Sequence, residues 1–206
     1  MFVRRCSLLV LSIIGAACSD EPTSLAGAEG CPESGYSPVD QSDYVIPFTV
    51  GTELFTGLAN CSASFHAAGN PDEYATDFDL PMGTPFVAAR PGVVTFIQED
   101  QPSLGGGDGE EVLGNAVFVA HRDGTTALYL HSPLDGITVE LGDTVAAGDT
   151  LGLVGASGLA GYPHLHFIVV EGDTSFPYRG VPVTFRNASP PDVPLRTYAS
   201  YTVDPY

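Results

Sequence analysis

Turn residues cut this chain so often that no long helix fits after residue 17. Pro91-Gly92 separates Phe86-Val87-Ala88-Ala89 from Val93-Val94-Thr95-Phe96-Ile97. Asp123-Gly124, a tight hairpin signal, separates Ala116-Val117-Phe118-Val119-Ala120-His121 from Thr126-Ala127-Leu128-Tyr129-Leu130-His131. Gly142-Asp143 and Gly148-Asp149 divide shorter runs around Val139, Val145 and 151–154. The pieces are rich in β-branched and aromatic residues and too short for stable helices. None carries a helical period. The expected fold class is therefore all-β, an antiparallel sheet domain with turn-rich connections.

One of these strands carries chemistry. Gly161-Tyr162-Pro163-His164-Leu165-His166-Phe167 leads into Ile168-Val169-Val170. Side chains two apart on a strand share a face, so His164 and His166 project together while Leu165 turns to the core. Pro163 stands at the strand entrance, where a missing N–H is tolerated. Paired neutral imidazoles suit a metal, and equally make a plain polar surface. Tyr74-Ala75-Thr76-Asp77-Phe78-Asp79-Leu80 also alternates, which puts Asp77 and Asp79 on one face.

The ends of the chain give an address. Arg4 and Arg5 precede an apolar stretch over residues 6–17, too short for a mature membrane span. Residues 1–17 read as a signal peptide. Gly15-Ala16-Ala17-Cys18 resembles a bacterial lipobox, so lipidation of Cys18 is expected; plain secretion is the alternative. Residues 18–43 read as a tether or N-terminal arm, and residues 44–206 as one domain. Cys31 and Cys61 remain for a disulfide in an exported protein, with no Cys-x-x-Cys to suggest a metal. The formal net charge is −18 and every basic side chain is arginine. Such a surface excludes nucleic acid and electrostatic adhesion to anionic lipid. The expected membrane contact is the lipid at Cys18 alone. The glycine-rich, acidic run 105–111 lacks the lysine of a phosphate loop and reads as an acidic hairpin loop.

Taken in order, the motifs form a set. Ser64-Phe65-His66, Tyr74-Ala75-Thr76-Asp77-Phe78, Pro81-Met82-Gly83-Thr84-Pro85, Gly114-Asn115, His121-Arg122-Asp123-Gly124, Tyr129-Leu130-His131, Gly142-Asp143 and Pro163-His164-Leu165-His166-Phe167 follow one another. This series resembles the lysostaphin-type (LytM-like) zinc endopeptidases. The resemblance implies an antiparallel domain of the duplicated hybrid motif kind with a metal-binding groove. It implies one zinc ion on His66, Asp77 and His166, with a fourth place open for water. His131 and His164 match the two histidines that act without binding metal, as proton carriers and oxyanion partners. The implied substrate is peptidoglycan or its peptides, and the implied place is the cell envelope. His121 reads as structural. Many members place the first ligand four residues before the aspartate, where this chain has Glu73, so Glu73 competes with His66. Ile168 stands where a glutamate often follows the last histidine, and Gly161-Tyr162 replaces the usual Ser/Thr-Gly.

Three other readings compete. A D-Ala-D-Ala carboxypeptidase site also requires Glu-x-x-His, which is absent. A biotinyl or lipoyl carrier would need a lysine, and the chain has none. A catalytically inactive wall-binding or regulatory protein on the same fold is the alternative that stays. Such proteins lose ligands, whereas every position is filled here.

Overall fold

The computed structural model describes Cys31, residues 35–102 and residues 114–206. The expected signal peptide, the lipidation site Cys18 and the run 105–111 lie outside the described residues.

The described chain forms strands, two short 3₁₀ turns at Val39–Gln41 and Ser64–His66, and connecting turns. The strands are β1 (Glu53–Thr56), β2 (Thr76–Asp79), β3 (Pro85–Val87), β4 (Gly92–Gln98), β5 (Asn115–Ala120) and β6 (Thr125–Ser132). They continue as β7 (Thr144–Val145), β8 (Thr150–Leu153), β9 (Leu165–Glu171), β10 (Ala188–Ser189) and β11 (Ala199–Val203). Nine of them make one antiparallel sheet in the order β10-β11-β1-β2-β9-β6-β5-β4-β7, and β3 pairs with β8 separately.

The centre of this sheet fixes everything that follows. β9 pairs with β2 on one side, Asp77 opposite His166, and with β6 on the other, Leu130 opposite His166. Antiparallel partners share a face. Asp77, His166 and Leu130 therefore stand in a row across three strands. The alternate residues Phe78, Leu165, Phe167 and Tyr129 fill the main core on the opposite face. A smaller apolar cluster of Leu128, Leu130, Ile168, Val170 and Tyr178 lies on the same face as the polar row and supports it.

The stretch 44–48, an edge strand by its pattern, makes a single bridge, Tyr44 to Phe185. Val45, Ile46 and Phe48 are fully buried. The Val45 N–H reaches the Ala89 carbonyl, and the Ile46 N–H reaches the Asn187 side chain. Core packing, not a ladder, absorbs these apolar residues. Residues 35–43 lie against the domain: Tyr36 donates to Asn60, and Thr184 donates to the Ser37 carbonyl. Cys31 and Cys61 form a disulfide, with their Cα atoms 4.8 Å apart.

Candidate active site

His66 reaches the site from a loop. Ser64 has a positive φ of 59°, and the Ala67 N–H returns to the Ser64 carbonyl, closing one 3₁₀ turn. The Asn70 amide donates to the carbonyls of Ser64 and Phe65 and holds the turn from outside. His66 is buried at its end. Its Nε2 lies 3.4 Å from Asp77 Oδ1. His166 Nδ1 lies 2.9 Å from the same oxygen, and His164 Nε2 lies 3.7 Å from it.

His131 arrives by a different device. Ala116 pairs with Leu130 and Asn115 pairs with Ser132, so His131 is an extra residue on β6. Its φ is 75°. A bulge of this kind re-aims a side chain. Strict alternation would place His131 with Tyr129 on the core face; instead its ring lies 4.8 Å from that of His164 and 5.6 Å from that of His166. Ser157 secures the bulge. Its hydroxyl donates to the Ser132 carbonyl and accepts from the Asn115 N–H, and its carbonyl lies 2.9 Å from His131 Nδ1. Gly114 has no alternative here: its φ is 63°, and a Cβ would sit 2.6 Å from the Ser157 backbone. The Gly114-Asn115 pair thus has a mechanical role that sequence reading noted only as a motif.

The electrostatics follow from burial. Asp77 is 4% exposed. Burial alone would raise its pKa, yet the His166 hydrogen bond and the surrounding imidazoles hold it well below the ordinary carboxylate range. Burial pushes His66, His164 and His131 down, the last to about 3. His166 runs the other way. Burial opposes its charge, but Asp72 and Asp77 together push it up to about 10. Asp79 is half-buried beside Tyr162 and Gly57 and is pushed up to about 6 by burial and by Asp77. Tyr162 packs on His164 with ring centroids 4.8 Å apart.

These residues fit a metal. One ligand atom from each of His66, Asp77 and His166 lies within 4.8 Å of the others, and His131, His164 and His166 form a second such group. The first group fits better. Asp77 is a buried anion within 3.7 Å of nitrogens of three imidazoles, of which burial holds His66 and His164 neutral. A divalent cation would balance its charge and take the place of the proton that the two aspartates otherwise hold on His166. His131 and His164 each have Nδ1 tied to a backbone carbonyl, Ser157 and Tyr162 respectively.

Glu73 accepts from the Gly69 N–H and belongs to neither group. His121 sits at the end of β5 with Nδ1 on the Pro91 carbonyl, and it too belongs to neither. Sequence reading passed over Asp72, Tyr178 and Ser157, all of which touch the site histidines or their supports.

A sequence profile of peptidase family M23 matches residues 72–177, slightly more than half of the chain. The chain belongs to peptidase family M23. The match includes Asp77, His131, His164 and His166, and His66 lies before it. The DD-carboxypeptidase/endopeptidase Mpg of Neisseria meningitidis serogroup B is 36% identical over 91 residues, 44% of this chain and 18% of that protein. The peptidoglycan DD-endopeptidase ShyA of Vibrio cholerae is 31% identical over 129 residues, 61% of this chain and 26% of that protein. The aligned stretch thus spans between a sixth and about a quarter of these relatives' length. Among solved structures, the catalytic domain of the prophage-encoded M23 protein EnpA from Enterococcus faecalis, solved as a point mutant, is 27% identical. It superposes with a TM-score of 0.49 over 66% of this chain and 93% of that one.

Proposed function

We propose that this protein is an exported, zinc-dependent endopeptidase that hydrolyses amide bonds in peptidoglycan stem peptides or cross-bridges. The observation that carries the reading is the convergence of His66, Asp77 and His166 on one point beside two further histidines. The name of ShyA, a peptidoglycan DD-endopeptidase, points to the same substrate class.

The five side chains divide the work. His66, Asp77 and His166 would hold the metal. Zinc there supplies Lewis acidity, polarising a carbonyl and acidifying a water. A backbone carbonyl only accepts, so neutral His131 and His164 each donate from Nδ1 and keep a lone pair on Nε2. His164 Nε2, beside Asp77, can take a proton from the attacking water as the new C–O bond forms, and His131 Nε2 can orient that water by accepting a hydrogen bond from it. The resulting imidazolium then returns that proton to the departing amine nitrogen as the C–N bond breaks. Leu58, Leu130, Leu159 and Phe176 line the same cleft of about 410 Å³ and limit water around the histidines.

The test is digestion of purified sacculi with metal-loaded protein, with and without a chelator, identifying new ends by mass. New amino termini that vanish with chelator are expected. Loaded protein that leaves sacculi and glycine-rich peptides intact would overturn the enzyme reading in favour of an inactive wall-binding protein. The address is tested separately. We place the mature protein in the cell envelope, held by lipid on Cys18, so Cys18→Ala should move it from the membrane to the soluble fraction. Retention on membranes would exclude that attachment.

A further inference from the structure

We propose that Asp72, braced by Tyr178, is a positioning residue that fixes the ring of His166 and thereby sets the affinity of the centre for its metal. This rests on the zinc reading above.

An imidazole has two nitrogens, and only one can face the metal. In His166 the choice is visible. Nδ1 faces Asp77 at 2.9 Å, within the group that would hold the ion. Nε2 points away, buried, toward Asp72 Oδ1 at 3.4 Å. It makes no hydrogen bond among the described residues. When Nδ1 serves a metal, Nε2 must carry the ring proton, and a buried N–H requires an acceptor. The Asp72 carboxylate is in place for it, and closing the gap to an ordinary N–H···O distance needs about half an ångström.

Asp72 is itself held. The Tyr178 hydroxyl donates to Asp72 Oδ1 at 2.5 Å. Tyr178 is 6% exposed and packs in the apolar cluster with Leu130 and Ile168, the strand neighbours of His131 and His166. The backbone of Asp72 accepts from the Ala75 N–H, one residue before β2 begins. The adjacent carboxylate cannot substitute, because Glu73 is committed to the Gly69 N–H.

The loop between His66 and Asp77 is therefore more than a spacer. It joins two of the metal-holding residues and delivers a carboxylate to the far side of the third. Asp72 is the first residue of the family match, and Tyr178 is the first beyond it.

The experiment measures zinc dissociation constants by chelator competition on the purified protein, together with its melting temperature. It also records the ring ¹⁵N–¹H spectrum of the histidines in the zinc-loaded state. Asp72→Ala is expected to weaken zinc binding about 10–100-fold. It should also shift or broaden the His166 Nε2–H signal. Asp72→Asn, whose amide oxygen still accepts but carries no charge, is expected to fall between Ala and wild type. Tyr178→Phe should weaken zinc binding in the wild-type background and add nothing in the Asp72→Ala background. Folded Asp72→Ala and Asp72→Asn proteins that bind zinc like wild type, with the His166 signal unmoved, would overturn the proposal while leaving the zinc site intact. Wild-type protein that binds no zinc would overturn the site reading and this inference together.

Discussion

A carboxylate as buried as that of Asp77 needs compensating positive charge, and the groups paired with its Oδ1 are three imidazoles. Removing one partner of such a group leaves the other exposed to the full cost of burial. Residues that hold the metal and residues that move protons should therefore separate cleanly by substitution. His66→Ala or Asp77→Asn is expected to abolish metal content and hydrolysis together. His131→Ala or His164→Ala should keep the zinc and slow hydrolysis by roughly 10²–10⁴-fold. Metal analysis of each variant beside its rate checks this; loss of zinc from His131→Ala would move that residue into the metal set. The order of motifs along the chain exposed these four residues and His166. Asp72 and Tyr178 stayed hidden because their pairing spans 106 positions and has no spacing signature. Ser157 stayed hidden because its hydroxyl bonds only backbone groups of distant segments, and its contact with His131 is made by a carbonyl, which every residue possesses.

At the level of elements, the alternation of apolar and polar residues correctly sets the faces of β2 and β9. A one-residue slip between them would turn Asp77 and His166 to opposite sides, and the fully buried alternates Phe78, Leu165 and Phe167 forbid it. Alternation fails at His131. The bulge depends on Ser157, Asn115 and Gly114, which arrive from other segments, so no local pattern announces it. The separate pair β3–β8 is tied to the main sheet through β6: the Ala89 N–H donates to the Tyr129 hydroxyl at 2.8 Å in the core. Tyr129→Phe deletes the acceptor and strands a buried N–H. A loss of about 1–3 kcal/mol is expected in denaturant melts. An unchanged midpoint would mean that the Ala89 N–H has a second acceptor.

Across the whole molecule, the all-β class was readable because turn residues recur throughout, but the strand order was not. β1 lies beside β11, with Leu54 opposite Tyr201, and nothing local encodes a contact over that separation. The disulfide acts at the same range. Cys61 is linked to Cys31 thirty positions away and opens the segment that carries His66 and Asp72. Replacing both cysteines by serine should cost about 3–4 kcal/mol by release of the unfolded chain. Thermal melts of the oxidised protein and the double variant test this; equal melting temperatures would refute it. The bridge also gives the protein a history. Such bonds persist only where the surroundings oxidise thiols, so a newly made chain in a reducing compartment lacks the covalent tie at the head of its ligand loop. Protein kept reduced should be nicked by added protease first within residues 61–75, whereas oxidised protein should survive there. An identical cleavage map in both states would show that maturation leaves this loop untouched. A map that differs between the two states would show that the loop bearing His66 and Asp72 is held in place only once the bridge has closed.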